Sequence, residues 1–293
     1  MDQFYDDAVL HRLQKMELQI LKDFCDLCER HKIVYFGIAG TLLGAVRHNG
    51  FIPWDDDIDV ALPRKDYERF LYYARQELSD RYYILNAETD SRYPLFTTRL
   101  CVKGTRFIEE PFRDLDCPLG IFLDIYPYDN LADGKAAYKL QIWHAWIYSK
   151  LLILRNIKKP VIFQRGITAR IVLLGCSAGH GILRLLRIKP EWLYRRGIRI
   201  SKRYSGRKTR RIGFPFDTDP EWNTLSKEDI FPRSVMEFNG IRMRFPKNWE
   251  RMLENLYGKD YMTPPPVEKR KTHRPWILDF GEGNTDAGEN KDK

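Results

Sequence analysis

Four aspartates lie within five positions of the chain, and their spacing predicts a metal site. The cluster reads Asp55-Asp56-Asp57-Ile58-Asp59 and lies between two apolar runs that are typical of buried strands. On a strand that begins inside the cluster, Asp57 and Asp59 point to the same face because side chains alternate. Two neighbouring carboxylates repel each other, and a divalent cation between them removes that repulsion. The pair therefore predicts a site for Mg²⁺ or Mn²⁺, which oxygen ligands suit better than zinc.

A Gly-Thr turn and an arginine precede the aspartates and could hold phosphate groups beside such a metal. Gly40 and Thr41 follow the first apolar run, where N–H groups at the start of a helix can bind phosphate. Arg47 falls on the same helix and offers two parallel donors to further phosphate oxygens. A carboxylate pair beside a phosphate-binding turn is typical of phosphoryl or nucleotidyl transfer.

Three more residues are candidates for the same site. Asp124 lies alone in the apolar segment Gly120–Pro127, and a carboxyl inside a buried strand is costly unless it has a partner. We therefore expect Asp124 to be a third metal ligand or a general base. The base is favoured because two carboxylates already satisfy one Mg²⁺ that also binds phosphate and water. Arg99 and Lys103, on a predicted strand and the turn after it, could approach nucleotide phosphates, with surface ion pairs as an equal alternative.

Apolar periodicity predicts the elements that position these residues. Residues 6–31 have the spacing of an amphipathic helix, and residues 65–78 predict another that begins after Pro63. Asn239-Gly240 predicts a hairpin turn between two short strands. The predicted strands are 33–36, 58–62, 82–85, 96–102, 122–126, 235–238 and 241–245, and the later helices are 138–156 and 249–257. The fold class predicted is α/β (α+β), a mixed-sheet core covered by helices.

The middle of the chain is strongly basic. Residues 150–211 contain 18 Lys or Arg and one acidic residue, so the segment carries +17 and the rest of the chain −8. Arg170 and Arg184 bracket only thirteen apolar-rich residues, which is too short to span a bilayer. We therefore expect a basic helical insertion in peripheral contact with an anionic membrane. Two alternatives stay open: nucleic acid, for which no binding motif is present, and a basic face on a packed helical subdomain.

Length and composition predict a catalytic core with additions. The chain has 293 residues, of which 43% are hydrophobic, enough for a sizeable core. The predicted division is 1–130 as core, 131–225 as basic insertion, 226–278 as a segment that packs back on the core and 279–293 as a disordered tail. Five scattered cysteines favour a reducing compartment, and Cys25 and Cys28 are expected in the core. An acidic, polar start lacks signal-peptide features, so we expect a cytoplasmic protein, peripheral on the inner face of the membrane.

The run GTLLGAVRHNGFIPWDDDIDVALPRKDYERF, from Gly40 to Phe70, resembles the signature of the LicD/fukutin family of phosphotransferases. That family belongs to the nucleotidyltransferase superfamily of the polymerase β type. Gly120–Pro127 and the C-terminal run FPKNWERMLENLYGKDYMTPPP are similar to two further family segments, whereas about 130–225 is not covered. The resemblance implies a nucleotidyltransferase-like core in which Asp57, Asp59 and Asp124 hold Mg²⁺.

The same resemblance, which is to bacterial phosphocholine transferases, implies a substrate class. The donor would be a CDP-linked alcohol, CDP-choline above others. The acceptor would be a hydroxyl of a cell-surface glycan: a teichoic acid, lipopolysaccharide or capsule precursor, free or lipid-linked. No nucleic acid partner is expected. Two alternatives stay open, a nucleotidyltransferase that uses an NTP on a small molecule or RNA, and a non-catalytic glycan- or membrane-binding protein. The intact aspartates weigh against the second.

Overall fold

A computed structural model describes residues 5–162, 166–270, 272 and 275–281. The helices, in chain order, are α1 Asp7–Arg30, α2 Ala39–His48, α3 Arg64–Glu77, α4 Lys135–Asn156, α5 Gly166–Leu185, α6 Pro190–Ser201, α7 Lys227–Ile230 and α8 Trp249–Tyr257. The strands are β1 Phe36–Gly37, β2 Asp59–Pro63, β3 Tyr82–Leu85, β4 Thr98–Val102, β5 Arg106–Ile108, β6 Phe122–Leu131, β7 Arg211–Gly213, β8 Thr224–Ser226, β9 Ser234–Phe238, β10 Ile241–Phe245 and β11 Ile277–Asp279.

A mixed sheet of seven strands forms the centre of the fold. Its main order is β1-β2-β6-β4-β3, and β7 pairs with the far end of β6 and with β8. Strands β2 and β6 run parallel, and the other pairs of this sheet are antiparallel. Parallel neighbours need a crossover connection, and here α3, β3, β4 and β5 lie between β2 and β6 in the chain. The predicted α+β class is confirmed.

Helix α1 covers the sheet with a face that is apolar except for Glu17, as its periodicity predicts. The helix begins after Asp6, whose side chain accepts a hydrogen bond from the Ala8 N–H at 2.9 Å. Cys25 and Cys28 lie on the buried face, at 5% and 1% exposure, so both are core residues as expected. Burial raises the pKa of the Cys25 thiol to about 12, which keeps the thiol protonated and unreactive.

The C-terminal segment packs on the core through the predicted hairpin. Asn239 and Gly240 both adopt positive φ, 46° and 82°, which is the requirement of a tight two-residue turn between twisted strands. The Asn239 side-chain oxygen also accepts from the Phe51 N–H at 2.9 Å, and its own N–H donates to Asn49 at 2.8 Å. The hairpin turn is thus fastened to the loop between α2 and the acidic cluster.

The region 131–225 is helical over most of its length, but its last part differs from the prediction. Strand β7 pairs with the end of β6 and β8 pairs with β7, so the central sheet continues into this region. Three-residue strands carry too little periodicity to be recognised in a sequence. The division into four segments stays a prediction. In the tail, Asp279 still belongs to β11, which pairs with β5, and residues 282–293 lie outside the described part.

Helix α5 is longer than the charge pattern implies. It runs for 20 residues, beyond both Arg170 and Arg184, with a mean hydropathy of 1.4 over its most apolar window. By length and composition the helix could cross a membrane, so the prediction that this segment is too short is wrong. Arg170 lies inside the helix, one turn from its start, and Arg184 lies in its last turn.

Candidate active site

Three charged side chains form a row across three neighbouring strands. Asp59 of β2 lies in register with Asp124 of β6, and Asp124 lies in register with Arg99 of β4. Arg99 Nε donates to Asp124 Oδ1 at 3.1 Å. Registered residues of adjacent strands project to the same face of a sheet, so the two carboxylates stand side by side. Tyr126, two residues beyond Asp124 on β6, confirms the shared face, because burial, then Asp59, then Asp124 raise the pKa of its hydroxyl.

The Gly-Thr turn is fixed directly to the acidic strand. Helix α2 begins at Ala39, so Gly40 and Thr41 belong to its first turn, where N–H groups have no acceptor inside the helix. Thr41 Oγ1 accepts from the Asp59 N–H at 2.8 Å, so this buried hydroxyl ties the turn to the acidic strand, and its contact with phosphate stays a prediction. A Cβ on Gly40 would lie 2.7 Å from Asp55 Oδ2, so a side chain here would displace the Asp55 carboxylate from the turn. Ala39 has φ 46°, a strained conformation for a residue other than glycine.

Asp57 reaches the site by a different route from the one predicted. Strand β2 begins at Asp59, so Asp57 belongs to the preceding loop and strand alternation does not apply to it. The carboxylate oxygens of Asp55, Asp56 and Asp57 nevertheless lie within 4.8 Å of one another. Asp56 is fully buried and accepts from the Tyr5 hydroxyl at 2.6 Å, which anchors the loop beneath the site.

A cleft of about 520 Å³ opens over these residues. One wall consists of Gly40, Asp55, Asp57 and Asp59, and the opposite side is built from the loop after α8. The residues of that loop and its surroundings that line the cleft are Tyr257, Asp260, Tyr261, Thr263, Pro265, Lys269 and Arg270. Burial of its hydroxyl, followed by Asp59, Asp55 and Asp57, raises the pKa of Tyr257, so this ring faces the carboxylates.

Two arginines approach Trp54 in the same cleft. The guanidinium of Arg270 lies 4.1 Å from the centre of the Trp54 ring, and that of Arg47 lies 5.9 Å from it. Arg47 Nη1 also donates to the carbonyl oxygen of Tyr261 at 2.9 Å, which ties α2 to the opposite wall. The cleft therefore sets carboxylates against guanidinium groups, an arrangement that suits a metal-bound diphosphate.

The remaining predicted phosphate contacts lie elsewhere. Arg99 is 3% exposed, forms ion pairs with Asp124 and with Glu109 (2.6 Å), and is outside the cleft lining. Lys103 lies on the exposed turn after β4, four residues or about 13 Å of strand beyond Arg99, too far to reach the carboxylate pair. Its contact with a nucleotide stays a prediction that this placement does not support.

The donor set fits a hard divalent cation. Asp59 and Asp124 stand side by side, Asp57 lines the same cleft as Asp59, and the ligands offered are all carboxylate oxygens. Mg²⁺ prefers oxygen ligands, and it takes one or two carboxylates together with phosphate and water. Asp57, Asp59 and Asp124 are therefore the residues that would hold such an ion.

A buried carboxyl lies beneath the acidic loop. Glu17 of α1 is completely buried, and its two carboxyl oxygens have no hydrogen-bond partner among the described residues. Burial, followed by the charges of Asp56 and Asp57, raises the pKa of Glu17 well above its ordinary value of 4.5. In the folded protein this side chain is therefore neutral at pH values where it is ionised in the unfolded chain.

We expect Glu17→Gln to stabilise the metal-free protein progressively as pH rises. Below pH 4.5 the folded and unfolded states both carry a protonated Glu17, so the difference is small. Above pH 4.5, Glu17 loses its proton in the unfolded state alone. The free energy of unfolding of the wild type therefore falls by up to about 1.4 kcal/mol per pH unit, whereas that of the glutamine variant does not. Urea unfolding in EDTA at pH 5, 6 and 7 measures this, with the exposed Glu254→Gln as control. A stability difference that does not change with pH would contradict the buried-acid explanation.

The fold and site together define the class of protein. Residues 32–101, which contain the Gly-Thr turn, helix α2 and the acidic strand, match the family described as LicD/FKTN/FKRP, nucleotidyltransferase domain.

More distant parts of the chain are also similar to a protein of this class. The chain is 29% identical over 273 residues to the lipopolysaccharide cholinephosphotransferase LicD of Haemophilus influenzae, covering 90% of this chain and 95% of that protein. The chain is also 48% identical over 48 residues to each of two proteins, the uncharacterized proteins RP689 of Rickettsia prowazekii and RT0683 of Rickettsia typhi. Each match covers 16% of this chain, together with 18% of RP689 and 16% of RT0683. The predicted resemblance is confirmed, and these two similarities support a phosphotransferase of the LicD family.

Several cleft residues were missed by the sequence reasoning. From the sequence, Asp55 was recognised only as a member of the acidic cluster, and Trp54 was not singled out as a site residue. The C-terminal run was recognised as similar to a family segment, but its contribution of Tyr257 and Arg270 to the cleft was not predicted. Only that similarity signalled their importance, because about 200 residues separate them from the aspartates.

Proposed function

We propose that this protein is a Mg²⁺-dependent transferase that moves phosphocholine from CDP-choline to a hydroxyl of a cell-surface glycan. The observation that carries the proposal is the two-sided cleft, with Asp57 and Asp59 on one wall and Arg47 and Arg270 near the other. The named activity of the Haemophilus influenzae relative, a lipopolysaccharide cholinephosphotransferase, supports the choice of group and acceptor. The acceptor would be a lipopolysaccharide, teichoic acid or capsule precursor.

Different groups of the protein would bind different parts of the donor. Asp57, Asp59 and Asp124 would hold Mg²⁺, which would neutralise charge on the diphosphate and on the leaving CMP. The N–H groups of Gly40 and its neighbours in the first turn of α2 bind phosphate oxygens through the partial positive charge of the helix start. Arg47 offers a fork of donors to the same diphosphate.

The aromatic residues of the cleft suit the choline end. Tyr257 and Tyr261 line the cleft beside the carboxylates, and a quaternary ammonium binds favourably to aromatic faces. A trimethylammonium group has no hydrogen to donate, so ring faces and nearby negative charge are the groups that can recognise it. Ribitol and glycerol, in contrast, require hydrogen-bond partners for their hydroxyls. This difference makes the choice of donor testable.

We expect the purified protein to release CMP from CDP-choline in the presence of Mg²⁺ and glycan acceptor, and to do so more slowly with CDP-ribitol or CDP-glycerol. The measurement is CMP formed for each donor, with EDTA as the metal-free control and the Asp59→Asn protein as the control for contaminating enzymes. Incorporation from CTP or ATP, without turnover of CDP-choline, would identify a nucleotidyltransferase instead. Faster reaction with CDP-ribitol or CDP-glycerol would contradict the choline assignment.

A further inference from the structure

Helix α5 exposes an apolar surface that no other part of the chain covers among the residues that the structure describes. Leu183 is its only buried residue, and 6% of its most apolar window is buried. A helix on the surface of a water-soluble domain normally buries an apolar stripe and exposes polar residues. Here the exposed large apolar residues within and just after the helix are Ile167, Ile171, Val172, Leu174, Ile182, Leu185 and Leu186. A continuous apolar surface of this kind marks an interaction site.

Contacts with α4 hold the C-terminal part of α5 to the rest of the protein. Helices α4 and α6 pack on each other, and the Ser201 hydroxyl at the end of α6 donates to Asp129 of β6. His180 Nδ1 of α5 donates to the Leu154 carbonyl of α4 at 2.8 Å, and Arg155 Nε donates to the Ile188 carbonyl, just after α5, at 2.7 Å. A membrane-spanning α5 would place its ends about 30 Å apart on opposite sides of a bilayer. The contacts of α5 with α4 are also compatible with a helix that lies along the membrane surface, and the vesicle test below distinguishes the two arrangements.

The charges around the apolar surface identify the partner. Lys158, Lys159, Arg184, Arg187 and Lys189 are all exposed, immediately before, within or after α5. The segment 150–211 carries +17 in a chain whose other residues sum to −8. Trp192 at the start of α6 is 46% exposed, and Trp143 of α4 is 58% exposed, the amphipathic rings that membrane interfaces favour. Apolar insertion together with a cationic surround fits an anionic lipid bilayer.

We propose that α5 is a membrane-binding helix that lies in the headgroup region of an anionic leaflet, with its axis parallel to the surface. The exposed isoleucine and leucine side chains enter the acyl boundary, and the lysines and arginines pair with lipid phosphates. The cytoplasmic leaflet carries the negative surface potential that this arrangement requires. The inference goes beyond the transfer reaction, and its test does not depend on activity.

The test is binding of the full-length protein to vesicles. We expect strong binding to vesicles of phosphatidylcholine with phosphatidylglycerol, weak binding to phosphatidylcholine alone, and a steep loss of binding at high salt. Ile171→Glu/Leu174→Glu should weaken anionic-vesicle binding at least tenfold without unfolding, because both side chains are exposed, at 62% and 71%. The matched control, Tyr72→Glu on α3 (58% exposed), should bind as the wild type. Arg170→Gln/Arg184→Gln should weaken binding about fivefold per cation removed.

Four outcomes would overturn the proposal. Equal binding to neutral and anionic vesicles, or to neither, would exclude an anionic leaflet as the partner. Unchanged binding of the Ile171→Glu/Leu174→Glu protein would show that the apolar surface does not insert. A wild-type dimer in sedimentation equilibrium that this variant abolishes, without vesicle binding, would assign the surface to a second copy of the chain. Retention on vesicles in alkaline carbonate would indicate a spanning helix, whereas release supports the interfacial one.

Discussion

The Asp59→Asn variant is expected to lose at least a thousandfold in transfer while it retains the wild-type fold. Asp59 stands in register with Asp124 and lines the cleft that also contains Asp57, so it is central to the proposed metal set. Loss of metal-derived stabilisation costs several kcal/mol at the transition state, and each 1.4 kcal/mol is about tenfold in rate. The fold should survive because the contact with Thr41 uses the backbone N–H of Asp59, which the substitution leaves in place.

Stability separates a metal-site defect from misfolding. In EDTA the Asp59→Asn protein should melt no lower than the wild type, because an amide removes one of several mutually repelling negative charges. With Mg²⁺, the wild type should gain more stability than the variant, since only a bound ligand stabilises the folded state. Asp116→Asn is the control, because this carboxylate is fully exposed and lies outside the cleft lining. Near-normal turnover of Asp59→Asn at saturating Mg²⁺ would refute the metal assignment.

For Asp124→Asn we expect a loss of a hundred- to ten-thousandfold, much of it recovered by raising Mg²⁺. A lone aspartate in an apolar strand left two roles open, ligand and general base, and the sequence favoured the base. The ion pair between Asp124 and Arg99 favours the role of metal ligand instead. A guanidinium at 3.1 Å favours the ionised carboxylate and makes it a weak proton acceptor, whereas a metal ligand must be ionised.

The rate of the Asp124→Asn protein measured against Mg²⁺ concentration decides between the two roles. A base contributes a factor of about 10²–10⁴ that no metal concentration restores, and its loss would remove the acidic limb of the pH–rate profile. Glu109→Gln is a matched control, since Glu109 is the second acidic partner of Arg99 but has no place in the proposed metal set. This variant should show the Mg²⁺ dependence of the wild type. A rate that stays low at every Mg²⁺ concentration would make Asp124 the base.

Local pattern was sufficient for the elements that carry the site. The strand bounds 82–85 and 241–245, the helix 249–257 and the Asn239-Gly240 turn match the structure, because each is set by residues close in the chain. Periodicity was less reliable at the ends of elements. Of the first predicted strand, 33–36, only Phe36 belongs to a strand in the structure, the two-residue β1 Phe36–Gly37. The backbone before it makes other contacts, since the Val34 N–H, for example, donates to the Asp66 side chain.

Features that depend on contacts between distant parts of the chain could not be predicted from the sequence. Arg99 is a cation near a predicted nucleotide site, and only the register of β4 against β6 shows that its partner is Asp124. Lys103 shares the same strand region, yet extended geometry carries it away from the cleft. Strands β7 and β8 could be recognised only in the structure, where β7 pairs with the end of β6. The partner of Arg99 and the pairing of β7 with β6 both join residues that are far apart in sequence.

The two walls of the cleft are also made at different times. On the ribosome, Asp59 emerges about 200 residues before Tyr257 and Arg270. At roughly 5–20 residues per second, the delay is on the order of ten to forty seconds. During that interval the nascent chain presents its carboxylates without the opposite wall, and Arg47 has no Tyr261 carbonyl to bind. A cleft that needs both walls is thus completed late in synthesis, after the basic helices α4 to α6 have left the exit tunnel.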